Sequence, residues 1–115
     1  MKNLLFALFV LGSLVSQAQT NLDSLYGVWN DKTQPDTSRL KAMHDIAWDG
    51  YLFSQPDSAF YFAQMQYDLA EKSALKKQMA GALNTQGISF AIRGNYPKAL
   101  DLLPKELKDQ GGNGR

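Results

Sequence analysis

The sequence predicts an all-α chain of antiparallel helix-turn-helix repeats behind an N-terminal signal peptide. Three observations carry this reading. Beyond position 19 the apolar residues recur at intervals of three and four, the spacing of one helix face. No segment alternates convincingly between apolar and polar residues, so no strand is expected. The order helix, tight turn, helix occurs twice, with similar residues at the turn. At 115 residues, 44% hydrophobic and 20% charged, the chain has the composition of one small globular domain.

Residues 1–18 carry the three parts of an export signal: a basic start at Lys2, an apolar run from Leu4 to Val15, and small residues around a cut after Ala18. The run falls short of the roughly 20 apolar residues that cross a bilayer. The expected product is therefore periplasmic or secreted, with no membrane span in the mature chain. Without Lys2 the basic and acidic side chains balance at 11 each, which offers no electrostatic footprint for nucleic acid. The absence of cysteine excludes disulfides, thiolate metal sites, a Cys nucleophile and a lipidated N-terminal Cys.

The mature chain divides into a leading helix and turn at 19–36, a first helix pair at 37–75, a second unit at 76–103 and an irregular tail at 104–115. Leu22, Leu25, Tyr26 and Trp29 make the leading helix, and Asp31 to Asp36 with Pro35 reads as a turn. Asp36, Thr37 or Ser38 can cap the next helix, whose apolar face is Leu40, Met43, Ala47, Gly50 and Tyr51, with Ile46 and Phe53 alongside. It should end near Ser54, because Pro56 disfavours helix at the residue before it. Asp57 or Ser58 should restart a helix through Ala59, Phe62, Ala63, Leu69 and Ala70. From Lys76 to Arg93 the expected buried face is Met79, Leu83, Gly87, Phe90 and Ala91. Gly94 suits a left-handed cap, Asn95 an N-cap, and Pro97 a first helical turn, where a missing N–H costs nothing. Short connections force neighbouring helices antiparallel.

The run Gln55-Pro56-Asp57-Ser58-Ala59 holds the same place in its unit as Gly94-Asn95-Tyr96-Pro97-Lys98-Ala99-Leu100, and Ala59 and Ala99 lie 40 positions apart. Ala82-Leu83-Asn84-Thr85-Gln86-Gly87-Ile88-Ser89-Phe90 followed by Arg93-Gly94-Asn95-Tyr96 resembles a tetratricopeptide repeat, with Gln86 in place of the usual Leu. The first unit fits more loosely, with Gly50 where an aromatic is common. The resemblance covers residues 38–103. It implies that Ala59, Gly87, Phe90, Tyr96 and Ala99 are packing residues, with Gly87 and Ala99 allowing a close helix crossing. It also implies a concave groove for a protein or peptide partner, with Asp45, Trp48, Asn84 and Ile88 as its exposed positions. The implied function is a non-catalytic protein-interaction scaffold outside the cytoplasm. The alternative comes from a similarity to the exported repeat segments that precede a membrane helix and a histidine kinase or adenylate/guanylate cyclase domain in Bacteroidetes-type bacteria. On that reading the chain is the sensory N-terminal region of such an enzyme.

After Asp101 the family pattern breaks. Pro104 falls inside the expected second helix, at a cost of about 3 kcal/mol in a helix interior, and Gly111-Gly112-Asn113-Gly114 cannot continue one. One codon choice for this stretch, with a single base removed after the Asp101 codon, reads on as Tyr-Tyr-Gln-Lys-Ser-Leu-Lys-Ile-Lys-Glu-Glu-Met-Gly. That restores an aromatic at the place of Leu103 and a small residue at the place of Glu106. The expectation is a truncated or frameshifted product of a longer repeat protein. Its uncovered face, around Met79, Leu83, Phe90 and Ile92, would then be apolar and open to self-association.

Chemistry-bearing residues are sparse. His44 with Asp45 and Asp49 falls short of the three or four ligands of a zinc site, and Asp45 and Asp49 read as a solvated acidic edge. Trp29, Trp48, Tyr51, Phe53, Phe60 and Phe62 read as core before they read as a peptide-binding wall. Lys76-Lys77 is too short for a phosphate or membrane patch. No Gly-rich phosphate loop, Ser-His-Asp set or His-Glu-x-x-His motif is present, so no catalytic residue, cofactor or metal is expected.

Overall fold

Every regular element among residues 21–103, the part that the computed structural model describes, is helical. The expected leader and the tail from Pro104 onward lie outside the described residues. Helix α1 covers residues 21–30. It ends in a turn closed by Asp31, whose Oδ1 accepts the Thr33 amide at 3.0 Å and the Thr33 hydroxyl at 2.6 Å. Those two bonds hold the Asp31 carboxyl below the usual carboxylate range. Helix α2, Asp36–Asp45, begins directly after Pro35 without a side-chain cap. Asp36 acts across the fold instead, accepting the Ser73 hydroxyl at 2.7 Å and lying 3.8 Å from Arg39. Arg39 donates Nε–H to the Trp29 carbonyl at 2.9 Å and stacks 5.1 Å over the Trp29 ring, fastening the end of α1 to α2.

From Ile46 to Leu52 the winding loosens into a seven-residue π-helical segment. Leu22 of α1 presses here, and a Cβ on Gly50 would stand 2.9 Å from its Cδ2. Gly50 therefore makes room for α1, which accounts for its place at a position where the repeat resemblance favours an aromatic. Tyr26 packs edge-on to Phe62 at 6.2 Å, and its hydroxyl lies 3.2 Å from that of Tyr51. Burial, followed by the bond to Tyr51, pushes the Tyr26 hydroxyl up to about 12. The neutral phenol is thus favoured in the folded state. Its contribution to stability is complete below pH 10 and is lost as pH rises from about 10 toward 12, where the unfolded chain has already released that proton. In urea titrations, the stability advantage of the native chain over Tyr26→Phe should shrink through that window. An advantage constant to pH 12 would refute the assignment.

Helix α3 runs Pro56–Lys72 and α4 runs Lys76–Ile92, each of 17 residues. Pro56 takes the first position of α3, so Gln55, rather than Asp57 or Ser58, precedes it. Both helices close in the same way. Leu75 N–H donates to Ala70 O at 2.8 Å with Ala74 at φ 57°, and Asn95 N–H donates to Phe90 O at 2.9 Å with Gly94 at φ 85°. Helix α5, Tyr96–Leu102, is capped by the Asn95 side chain, which accepts the Lys98 amide at 3.3 Å. It has only 7 residues, and Leu103 leaves it in extended conformation, as the residue before a proline should.

The starts of α2 and α4, Asp36 and Lys76, stand 40 positions apart, as do the ends of the π segment and α4, Leu52 and Ile92. The N-cap residues of α3 and α5, Gln55 and Asn95, keep the same offset. The core lies mainly in the first pair. Leu40, Met43, Ile46, Ala47 and Leu52 are fully buried, as are Ala59, Ala63 and Ala70 of α3, and Ala47, Leu52 and Ala59 form one cluster. Helix α4 then lies on α3 and the π segment, and α5 lies on α4.

The orientation of α4 corrects the sequence reading. Its buried residues are Ala82, Thr85, Gln86, Gly87 and Ser89, while Met79, Leu83 and Phe90 are only half-buried. A polar stripe faces inward because each side chain on it finds a partner. Thr85 donates to Gly81 O at 3.1 Å, Ser89 donates to Gln86 O at 2.7 Å, and the Gln86 amide reaches Phe60 O at 3.3 Å and Gln64 Oε1 at 2.9 Å.

Candidate interaction surface between the helix pairs

Of the groove positions inferred from sequence, Trp48 and Ile88 pack against the same buried cluster, whereas Asp45 and Asn84 do not join it. The Trp48 indole donates Nε1–H to Thr85 Oγ1 at 2.8 Å, bridging the π segment and α4. Its ring lies 5.9 Å from His44 and 6.1 Å, edge-on, from Phe53. The pairing of Trp48 with Phe53, five residues on, follows from the wider π winding, since an α-helix would turn that neighbour away. Phe53 is 74% exposed and forms the open end of this row of rings.

Ile88 packs with Trp48, Tyr51 and Phe62 onto the cluster of Ala47, Leu52 and Ala59. It is an interior contact on one side and a surface residue on the other. Asp45 is half-buried and holds Lys41 at 3.1 Å, so its charge is balanced on its own helix. Asn84 is half-buried on α4, one residue before Thr85. The site is thus a shelf of aromatic rings fixed by one part-buried hydrogen bond to α4. It offers shape and apolar area. Among the described residues no three His, Asp or Glu side chains gather where a metal ion could sit, and no helix is long and apolar enough to cross a membrane.

The expected packing residues behave differently from one another. Ala59 is fully buried and Ala99 nearly so. Gly87 lets α4 and α5 approach closely, since an added Cβ there would stand 3.1 Å from the Ala99 carbonyl oxygen. Phe90, however, packs away from that crossing. It meets Phe60 edge-on at 5.4 Å, with the Arg93 guanidinium 4.2 Å above its ring and Lys98 at 5.6 Å. Arg93 also pairs with Asp57, so this cluster clamps the start of α3 to the end of α4. Tyr96 is 64% exposed at the rim of α5 and fills no interior space.

Sequence reasoning missed two features of the site. The π segment leaves no signal in apolar spacing, because the stretch also fits α-helical periodicity. The Trp48–Thr85 bond joins residues that no motif links, although a tryptophan N–H in a helix interface needs an acceptor and a mid-helix Thr can supply one. Comparison with known protein families, curated proteins and solved structures finds no match to this chain.

Proposed function

We propose that the chain is a non-catalytic protein-interaction scaffold of the tetratricopeptide type, exported from the cytoplasm, that takes an extended peptide across the shelf formed by the π segment and α4. The observation that carries this reading is the common 40-residue offset of the helix boundaries, with a buried alanine, Ala59 or Ala99, at the same place in each pair. On this reading, two like pairs laid side by side would present their first helices on one surface. Asp45, Trp48, Asn84 and Ile88 belong to those helices. An aromatic shelf, with polar residues on the same helices, suits side-chain and backbone contacts with a peptide.

Panning a random peptide library against the immobilised protein tests this. Enriched peptides should bind about tenfold or more weakly to Asn84→Ala or Asp45→Ala, as expected for loss of one well-placed contact, with the helical circular dichroism of both variants unchanged. Absence of enrichment, or affinities indifferent to both substitutions, would count against the groove.

A further inference from the structure

Between α4 and α5 lies a second surface, apolar throughout and separate from the aromatic shelf except for Ile88. Its walls are Gly87, Ile88 and Ala91 from α4 and Ala99, Leu100 and Leu103 from the α5 side, around a pocket of about 340 Å³ with Tyr96 at its rim. Leu100 is 60% exposed beside it. The face expected from sequence to be uncovered, around Met79, Leu83 and Phe90, is a different one.

The fold itself indicates what kind of object covers such a face. Forty positions earlier, Ala47, Trp48, Ala59, Phe60 and Ala63 occupy the places of Gly87, Ile88, Ala99, Leu100 and Leu103. In the first pair that face is the seat of α4. Ala47, Ala59 and Ala63 are fully buried, Trp48 bonds to Thr85, the Phe60 carbonyl accepts from Gln86, and the Phe60 ring meets Phe90. The second face therefore continues an interface already present in the molecule, by the same 40-residue step.

Its chemistry has changed in a specific way. Ile88 replaces the indole donor of Trp48, and Pro104 falls at the place of Gln64, whose side-chain oxygen accepts from Gln86 in the first seat. A helix with the Thr and Gln stripe of α4 would keep the Thr bond to its own backbone but leave its buried polar groups short of that donor and that acceptor, which disfavours burial. A helix with large aliphatic residues in that stripe would bury no such group. We propose that the α4/α5 face docks an amphipathic helix of a separate partner protein, with leucine-like side chains where α4 carries Thr85 and Gln86. This goes beyond the peptide groove in place and in ligand, and rests on the scaffold reading only in that both surfaces bind protein.

The probe is a fluorescein-labelled peptide of the α4 sequence, Lys76–Ile92, with leucine at the places of Thr85 and Gln86; the unsubstituted peptide is its comparison. Fluorescence anisotropy on the full chain should show saturable binding of the leucine peptide, at least about tenfold tighter than the unsubstituted one. Leu100→Asp should weaken it about tenfold or more, whereas Met65→Asp, at a comparably exposed apolar residue on α3, should leave it within about twofold. Leu100 is already largely exposed, so its substitution leaves the core intact, and circular dichroism checks this. Absence of binding, or equal loss in both variants, overturns the proposal. Asn84→Ala separates the two surfaces, since it should weaken the library peptides and leave this probe unaffected.

Discussion

Trp48→Ala is expected to lower stability by about 3 kcal/mol, at the lower end of the range for removing a large aromatic because the ring is half-exposed. A small domain has only about 5–15 kcal/mol in all, so the loss should show as a large drop in the urea midpoint. Two effects combine: the ring leaves a void over Ala47, Leu52 and Ala59, and the Thr85 hydroxyl loses its donor. They can be separated. Trp48→Phe retains most of the packing and loses the bond, and Thr85→Val loses the acceptor from the other side. The double-mutant cycle should give a coupling of about 1 kcal/mol, the usual net value of a hydrogen bond. A coupling near zero would mean that the indole and the hydroxyl do not meet. Trp48 is therefore a joint between the helix pairs as well as part of the shelf, and its truncation cannot serve as a clean test of ligand binding.

Replacing residues 102–115 by Tyr-Tyr-Gln-Lys-Ser-Leu-Lys-Ile-Lys-Glu-Glu-Met-Gly is expected to raise the melting temperature by about 10 °C. The reason lies in the unequal second helices: α3 has 17 residues and α5 has 7. In the first pair, where α2 packs on the longer α3, Leu40 and Met43 are fully buried, whereas their counterparts 40 positions on, Ala80 and Leu83, are only half-buried. A longer α5 without the proline would cover them. Removing one or two large side chains from water contributes about 2 kcal/mol, and each kcal/mol shifts the midpoint by about 4–8 °C in a domain of this size. Differential scanning calorimetry at matched concentration reads the result, and an unchanged or lowered midpoint would show that α4 does not need that cover.

Much of the fold was legible because it rests on local rules. The turns obeyed them closely: Gly94 sits at positive φ, Asn95 caps α5, and Pro56 marks the entry to α3. The helices of the first pair bury Leu40, Met43, Ile46, Ala47, Ala59, Ala63 and Ala70 as their spacing marked, but leave Phe62 and Leu69 half-buried. Gly50 and Tyr51 are also half-buried and Phe53 is exposed, because the π winding turns that end of the face outward. The failure came at α4, where Met79, Leu83 and Phe90 formed the more apolar stripe and yet the stripe of Ala82, Thr85, Gln86 and Ser89 went inward. Apolar periodicity assumes that burial follows hydrophobicity. Here the partner surface of α3 supplied Gln64 and the Phe60 carbonyl, and a close approach favoured small residues. Gln86 illustrates the point. It takes the place 40 positions after the fully buried Ile46, and it is equally buried only because its amide finds two acceptors. Cross-helix partners of this kind cannot be read from one helix alone.

The polar seam is expected to make the second pair the weaker of the two. Beyond its hydrogen bonds it contains the Gln66 side-chain oxygen, buried without a partner among the described residues, whereas the first pair is joined by aliphatic packing. Native-state hydrogen exchange, read by mass spectrometry along the purified protein, tests this most directly. Amides of Leu40–Ala70 should exchange only through global unfolding, and those from Lys76 through Leu102 should exchange sooner, by opening of the second unit from the first. Uniform, strong protection from Leu40 through Leu102 would contradict the account, because it would make α4 and α5 part of the same cooperative core.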